Sequence, residues 1–262
     1  MNFYIGTSGY QYRQWNDGAF YPPSVKGPEQ LSYLLSVLNT VEINASFYSI
    51  PKPEVVERWG SLVPHGAKLV LKAPRSVTHR RRLRLESEDP EVKPGIDLLE
   101  YFIEGILKIP EATRGPIFLQ VPASMRVDRE GLIDILNLLS HYNLRTAIEV
   151  RHESWFRKDI FDTLEKYQAS MVTADWSKFK APLVITSNFI YVRRHGPSGD
   201  YQGFYTDEQL ENDVESILSI KDPQVKDAYV FFNNDGMAAA PKNAKTMIER
   251  VAQIEDRQRH RS

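Results

Sequence analysis

Four side chains in this sequence could exchange protons or steady developing charge: Glu42, Glu149, Asp175 and His195. Imidazole titrates near neutral pH, so His195 suits a proton shuttle, with Glu149 to orient it or act as base. Three cations, Lys72, Arg151 and Arg193, could hold an anion. The arginine fork matches phosphate or carboxylate bidentately. Ser8, Asn44, Gln120, Asn233 and Tyr48 add neutral donors and acceptors. Acid–base chemistry on a small polar, anionic substrate is the activity this inventory suggests. The residues are far apart in the chain, so only the fold can bring them together.

The elements that could do so are eight short apolar runs, most ending in polar or charged residues. They are Phe3–Gly9, Thr40–Asn44, Lys68–Pro74, Pro116–Pro122, Arg145–His152, Ala169–Trp176, Phe189–Gly196 and Ala228–Asp235. Helical patterning fills six of the seven gaps. Alternating strands and helices form parallel sheets. Eight units predict a closed (β/α)8 barrel, TIM-barrel-like, whose chemistry sits at the C-terminal strand ends. Strand side chains alternate between faces. In the fifth run Ile148 and Val150 point outward, and Glu149 and Arg151 toward the axis. The same sorting turns Glu42, Asn44, Lys72, Gln120, Asp175, Arg193, His195, Asn233 and Asp235 to one mouth, with Ser8 from the first run. Buried charges do not persist unpaired. Either the groups close into an ion-pair network plugging the barrel, or they form a polar pocket; the pocket is the expectation.

The gaps supply helices. Val55, Val56, Trp59, Leu62 and Val63 form one apolar stripe, Leu132, Ile135, Leu136 and Leu139 another. Leu210, Val214, Ile217 and Leu218 follow a capping box at Thr206–Gln209, and Ala244, Met247, Ile248, Val251 and Ile254 form the last stripe. Pro182 interrupts the short gap between the sixth and seventh strands, so a helix there is expected to be missing or short. One barrel domain over 1–254 and a frayed polar tail over 255–262 complete the expected organisation. The long polar connection 75–94 contains the basic run His79–Arg82 with Arg84, followed by the offsetting Glu86, Glu88, Asp89 and Glu91. Gly196 and Gly199 after the seventh strand would admit a phosphate close to the backbone.

With 262 residues, 42% hydrophobic and 26% charged, the composition is that of a globular chain with a sizeable core. There is no cysteine, which removes disulfides, thiolate metal sites and Cys nucleophiles. No secretion signal or membrane-length apolar run is visible, so a cytoplasmic location is expected. The net charge of −1 gives no global pull toward nucleic acid or a membrane. Nothing in the sequence specifies the oligomeric state.

Several chemistries compete for the mouth. Glycoside hydrolysis needs two opposed carboxylates, but Gln120 and Arg193/His195 stand where barrel glycosidases carry them. Glu149, Asp175 and His195 could hold a divalent metal, although Lys72, Arg151 and Arg193 would repel it; no cofactor is expected. An enzyme of hydrolase or isomerase type is the main reading. The alternative is a non-catalytic protein that binds nucleic acid or a nucleotide through the 79–84 run and loop aromatics. Those aromatics are Tyr10, Tyr12, Trp15, Phe20, Tyr21, Phe47, Tyr48, Trp155, Trp176, Tyr201, Phe204 and Tyr205. Each could instead pack its loop against the rim.

Long motifs overlap these positions: GTSGY-x-Y-x-x-W from Gly6, N-T-V-E-I-N-x-S-F-Y from Asn39, L-K-A-P-R-x-x-T-H from Leu71, P-I-F-L-Q-V-P from Pro116, A-I-E-V-R-H-x-S-W from Ala147, Y-V-R-x-H-G from Tyr191 and F-F-N-N-D-G from Phe231. In this order the chain resembles the YecE-like family, a domain of unknown function (number 72). The resemblance implies a TIM-barrel-like fold and supplies no reaction. Tyr10, Ala123 and Arg194 depart from the family pattern, where Trp, Pro and Leu are usual; Tyr10 could alter a stacking surface.

Overall fold

The computed structural model describes residues 1–86 and 94–260. Its strands are β1 (Asn2–Ser8), β2 (Thr40–Ile43), β3 (Lys68–Lys72), β4 (Arg114–Gln120), β5 (Thr146–Glu149), β6 (Ser170–Met171), β7 (Thr173–Trp176), β8 (Phe179–Ala181), β9 (Phe189–Arg194) and β10 (Asp227–Phe232). The helices are α1 (Glu29–Val37), α2 (Ala45–Tyr48), α3 (Pro53–Ser61), α4 (Gly95–Leu107), α5 (Arg129–His141), α6 (Lys158–Lys166), α7 (Asp207–Leu218) and α8 (Ala239–Arg259). The strands make one strongly curled, mostly parallel sheet in the order β6-β5-β4-β3-β2-β1-β10-β9-β7-β8.

This α/β arrangement is TIM-barrel-like, but it corrects the expectation of a closed eight-stranded ring. Among the described residues the ladder has ten strands, and its sixth segment is split at Val172. β6 pairs with β5, whereas β7 pairs with β9. The edge of β7 away from β9 is taken by β8, which folds back antiparallel. That hairpin occupies the edge β5 would have used, so the β5 ladder stops at Met171. The gap before β9 thus carries a hairpin where the other gaps carry helices.

The sheet buries two apolar layers. Outside it, Val41, Ile43, Leu69, Leu71, Ile148, Ile190, Val192, Val230 and Phe232 pack under the helices. Inside lie Val70, Phe118, Ala147, Val172, Ala174, Phe189, Tyr191, Tyr229 and Phe231. Phe118 and Tyr191 stack with centroids 5.4 Å apart, forming an aromatic floor. β1 and β2 approach so closely that a Cβ at Gly6 would lie 1.9 Å from the Thr40 carbonyl oxygen, which demands glycine there.

The helices form where the stripes predicted them. The capping box is in place: Thr206 Oγ1 accepts from the Gln209 amide (3.2 Å), and Gln209 Oε1 accepts from the Thr206 amide (2.9 Å). α8 runs on to Arg259, through residues expected to fray, and Arg257 donates to Glu211 of α7 at 2.7 Å. A π-helical turn, Ser76–Arg80, follows β3 after three residues. Glu88, Asp89 and Glu91, expected to offset the basic run, lie outside the described residues, as do Arg261 and Ser262. No helix among the described residues is long and apolar enough to cross a membrane.

Candidate functional site

The inner residues at the C-terminal strand ends meet around Arg193, which is fully buried at the end of β9. Its Nη2 and Nε donate to the two Glu42 oxygens at 2.9 and 3.2 Å, and its Nη1 donates to Glu149 Oε2 at 2.7 Å. Nη2 also reaches Ser8 Oγ at 3.2 Å. Glu42 accepts a further hydrogen bond from the Tyr191 hydroxyl at 2.6 Å. Glu149 Oε1 accepts from Gln120 Nε2 and Arg151 Nε, both at 2.6 Å. Burial alone would raise the Glu149 pKa, yet Arg193 and Arg151 hold it well below the usual carboxylate range. Ser8, Glu42, Gln120, Glu149, Arg151 and Arg193 therefore converge as expected, but as a closed hydrogen-bonded network.

His195 lies against this network. Arg193 Nη1 stands 3.3 Å from His195 Nε2. A guanidinium can only donate, so Nε2 must accept and the ring is neutral with its proton on Nδ1. Burial lowers the His195 pKa, which favours the same state. Nδ1 is 3.4 Å from Asp175 Oδ1 and has no well-formed hydrogen bond.

Asp175 does not share the mouth, which corrects the sorting of the sixth run. Ala174 is the residue in register with Arg193 and packs inside. Val172 and Ala174 are small enough to sit over the aromatic floor, so the inner parity falls on them. Asp175 turns to the outer side, where Oδ1 accepts from the His195 amide at 2.6 Å and Oδ2 from the Tyr205 hydroxyl. Arg194, the family departure, forms its ion pair there with Asp213 of α7. Glu149, Asp175 and His195 do not make a metal site: among the described residues no three His, Asp or Glu side chains cluster suitably. Gly196 and Gly199 also have a different role. A Cβ on Gly196 would meet Gln202 O at 2.2 Å, and one on Gly199 would meet Asp175 O at 2.3 Å. Their close approach is to the protein's own loops.

Above the network opens a pocket of about 780 Å³. It is lined by Lys72, Gln120, Arg151, Arg193, Asn44, Tyr48 and Asn233 from the expected set. Glu42, Glu149, His195, Asp175 and Ser8 are not among its lining residues. Arg75, His79, Arg80, Tyr12, Phe47, Tyr201 and Asp235 complete the wall. Asp235 was among the residues the strand sorting turned to the mouth, whereas Arg75 and His79 stand in the motif after β3, whose spacing was the available signal for them.

Two lining groups differ from the paired network below. Lys72 Nζ donates to Gln120 Oε1 at 2.7 Å and lies 4.3 Å from the Phe47 ring centroid. It has no carboxylate within salt-bridge distance among the described residues. Burial, aided by Arg193, pushes its pKa down to about 7. Asp235 has a buried Oδ1 without a hydrogen-bond partner, and burial pushes its pKa up to about 6. The Asp235 backbone oxygen is fixed by Trp15 Nε1 at 2.9 Å.

Of the loop aromatics, Tyr12, Phe47, Tyr48 and Tyr201 line the pocket, and Trp176 stacks against Arg151, 4.3 Å from its guanidinium carbon. Tyr48 is 69% exposed. Trp15, Tyr21 and Trp155 are fully buried and pack their loops, and Tyr10 is buried as well, accepting a hydrogen bond from Tyr21 on its carbonyl.

This geometry can be set beside known proteins. The model of the family described as "Protein of unknown function DUF72" matches residues 4–261. The UPF0759 protein YunF of Bacillus subtilis (strain 168) is 24% identical, over 94% of this chain and 93% of its own. The crystal structure of a DUF72 family protein from Thermotoga maritima MSB8 superposes with a TM-score of 0.79 at 25% identity, covering 96% of this chain and 100% of that one. A DUF72 family protein from Enterococcus faecalis V583 gives 0.75 at 20% identity, with 95% of each chain covered, and shows the shared fold. The curled sheet, the motifs at its strand ends and the match along nearly the whole length place this chain in the DUF72 family, the YecE-like proteins.

Proposed function

We propose that this protein is an enzyme that binds a small anionic molecule, bearing phosphate or carboxylate, in the pocket above Arg193 and moves a proton on it. The reading rests on one observation: among the described residues Lys72, Arg75, Arg80, Arg151 and Arg193 line the pocket against a single carboxyl, Asp235. Glu42 and Glu149 neutralise Arg193, and Glu149 also meets Arg151. Lys72, Arg75 and Arg80 have no such partner among the described residues. A surplus of cations facing a cavity favours an anion. The proton-carrying role moves from Glu149 and His195, which are locked below, to Asp235, whose acidity is poised near neutral pH by burial. Hydrolysis or isomerisation fits such a site, and the absence of cysteine suits the cytoplasm.

The experiment is a calorimetric titration of wild type and Arg151→Ala with inorganic phosphate, pyrophosphate and citrate. Saturable binding to wild type, weakened about tenfold or more in Arg151→Ala, supports the reading. Equal affinities for both proteins, or no binding, overturn it.

A second reading has its own observation. Arg80, Arg81, Arg82 and Arg84 line a cleft of about 760 Å³ together with Arg126 and Arg129, and Arg80 belongs to both cleft and pocket. Such a track suits a nucleic-acid backbone, whose binding weakens steeply with salt. Retention of a single-stranded oligonucleotide at low ionic strength by wild type, and its loss in an Arg80–Arg82 triple alanine variant, supports that reading; no retention removes it.

A further inference from the structure

Among the described residues the network ties both floor carboxylates, Glu42 and Glu149, to arginines, and it leaves the Lys72 amine facing the cavity. Glu42 is taken by Arg193, and Glu149 by Arg193, Arg151 and Gln120. Gln120 is held in one orientation because its Nε2 donates to Glu149, which leaves Oε1 for Lys72. Lys72 Nζ can donate three hydrogen bonds and makes this one among the described residues. Phe47 and Phe118 lie 4.3 and 5.5 Å from it and exclude water on their sides.

We propose that Lys72 is a catalytic nucleophile that forms an imine with a substrate carrying a carbonyl group beside its anionic group, an oxo acid or an aldehyde or ketone phosphate. The inference rests on the anion pocket described above and names its substrate class. In the neutral form Nζ adds to the carbonyl carbon, and the carbonyl π pair moves to oxygen. That oxygen takes up a proton while Nζ loses one, giving a carbinolamine. A second protonation of the hydroxyl lets it leave as water as the nitrogen lone pair forms the C=N bond. The iminium so formed returns its N–H proton to the acid that protonated the hydroxyl, so the balance is amine plus carbonyl to imine plus water, with no oxidant or reductant. Asp235, the one carboxyl among the described residues lining the same pocket, is the acid available for the water-forming step. Arginines of the wall hold the anionic end and orient the carbonyl.

The charged groups facing Lys72 are Arg193 on β9, Glu42 on β2, Glu149 and Arg151 at the end of β5, and His79 after β3. Burial lowers the His79 pKa to about 4, so His79 is neutral and adds no charge above pH 6. Burial and Arg193 outweigh the two carboxylates and leave Lys72 half deprotonated near pH 7. An ordinary lysine with a pKa near 10.4 has about a thousandfold less free amine there.

Pyridoxal 5′-phosphate, an anionic aldehyde, is the probe. The full-length protein is treated with it from pH 5.5 to 9.5, reduced with sodium borohydride and peptide-mapped by mass spectrometry, with and without inorganic phosphate. Phosphate binding is measured separately by calorimetry. The expected result is labelling at Lys72 at least about tenfold above any other lysine at pH 7. Its rate should rise with a midpoint near 7 and slow with phosphate, and Lys72→Arg should abolish it. The wild-type map decides the matter even if Lys72→Arg does not fold. Phosphate binding without preferential Lys72 labelling overturns the imine and leaves the anion pocket standing. Preferential labelling that phosphate neither slows nor binds against supports the reactive amine and overturns the anion pocket. Neither labelling nor binding overturns both.

Discussion

The Arg193 guanidinium spans two carboxylates, Glu42 and Glu149, with every one of its nitrogens engaged. Removing one member of a buried ion pair strands a charge and costs about 3–5 kcal/mol. Arg193→Met should therefore lose about that much stability in urea titration; a loss below about 1 kcal/mol would contradict the network. Glu149 carries a pH signature. A carboxyl held below its unfolded pKa, about 4.3 for Glu, adds stability above that value and loses it as pH falls toward the folded one. The stability difference between wild type and Glu149→Gln should be constant from about pH 6 to 8 and shrink progressively below about pH 5. A difference independent of pH would show that Glu149 is not held ionised. At His195, ¹⁵N NMR at pH 7 should find a neutral ring with its proton on Nδ1; an imidazolium or the Nε2–H form would contradict its contact with Arg193. The sequence made the ionic inventory legible, because strand alternation sorts Glu42, Lys72, Glu149, Arg151 and Arg193 inward. It did not reveal pairing, which depends on register: that Glu42 and Glu149 both reach Arg193 follows from strands that are distant in sequence.

Helices were legible to the degree that they bury a single stripe. α3, α5 and α7 appear where apolar spacing and the Thr206 cap predicted them. The sixth strand was not, because Met171, Val172, Ala174 and Trp176 give no clean alternation and either parity satisfies them. The structure resolves this with the β7–β8 hairpin, and the loop after β9 packs onto that hairpin through Gly199. Gly199 has φ +71°, and Ser177 N donates to its carbonyl at 3.0 Å. Gly199→Ala should lower the melting temperature markedly, through both positive φ and a Cβ 2.3 Å from Asp175 O. Thr206→Ala, on the opposite flank of the same loop region, should cost only about 1 kcal/mol from the lost cap. Thermal unfolding of the two variants distinguishes them: equal losses would mean that the loop does not depend on the hairpin.

Across the whole molecule, the sheet's curl concentrates charge at one end while the net charge of the chain stays at −1. The interior divides into an aromatic floor, a neutralised ionic layer and a pocket whose wall carries Lys72, Arg75 and Arg80, which have no carboxylate partner among the described residues. The strand ends combine the two arrangements the sequence left open, an ion-pair plug below and a polar pocket above. Ligands that bind the folded chain alone stabilise it by about 2.7 kcal/mol at a hundredfold excess over Kd, so the correct anion should be recognisable by its effect on unfolding. The most direct measurement is an anomalous-scattering map from crystals soaked in tungstate, a phosphate-like oxyanion. One dominant peak within hydrogen-bonding reach of Lys72 and Arg151 is the predicted result. Peaks confined to the Arg80–Arg84 cleft, or an empty pocket beside occupied surface sites, would contradict it.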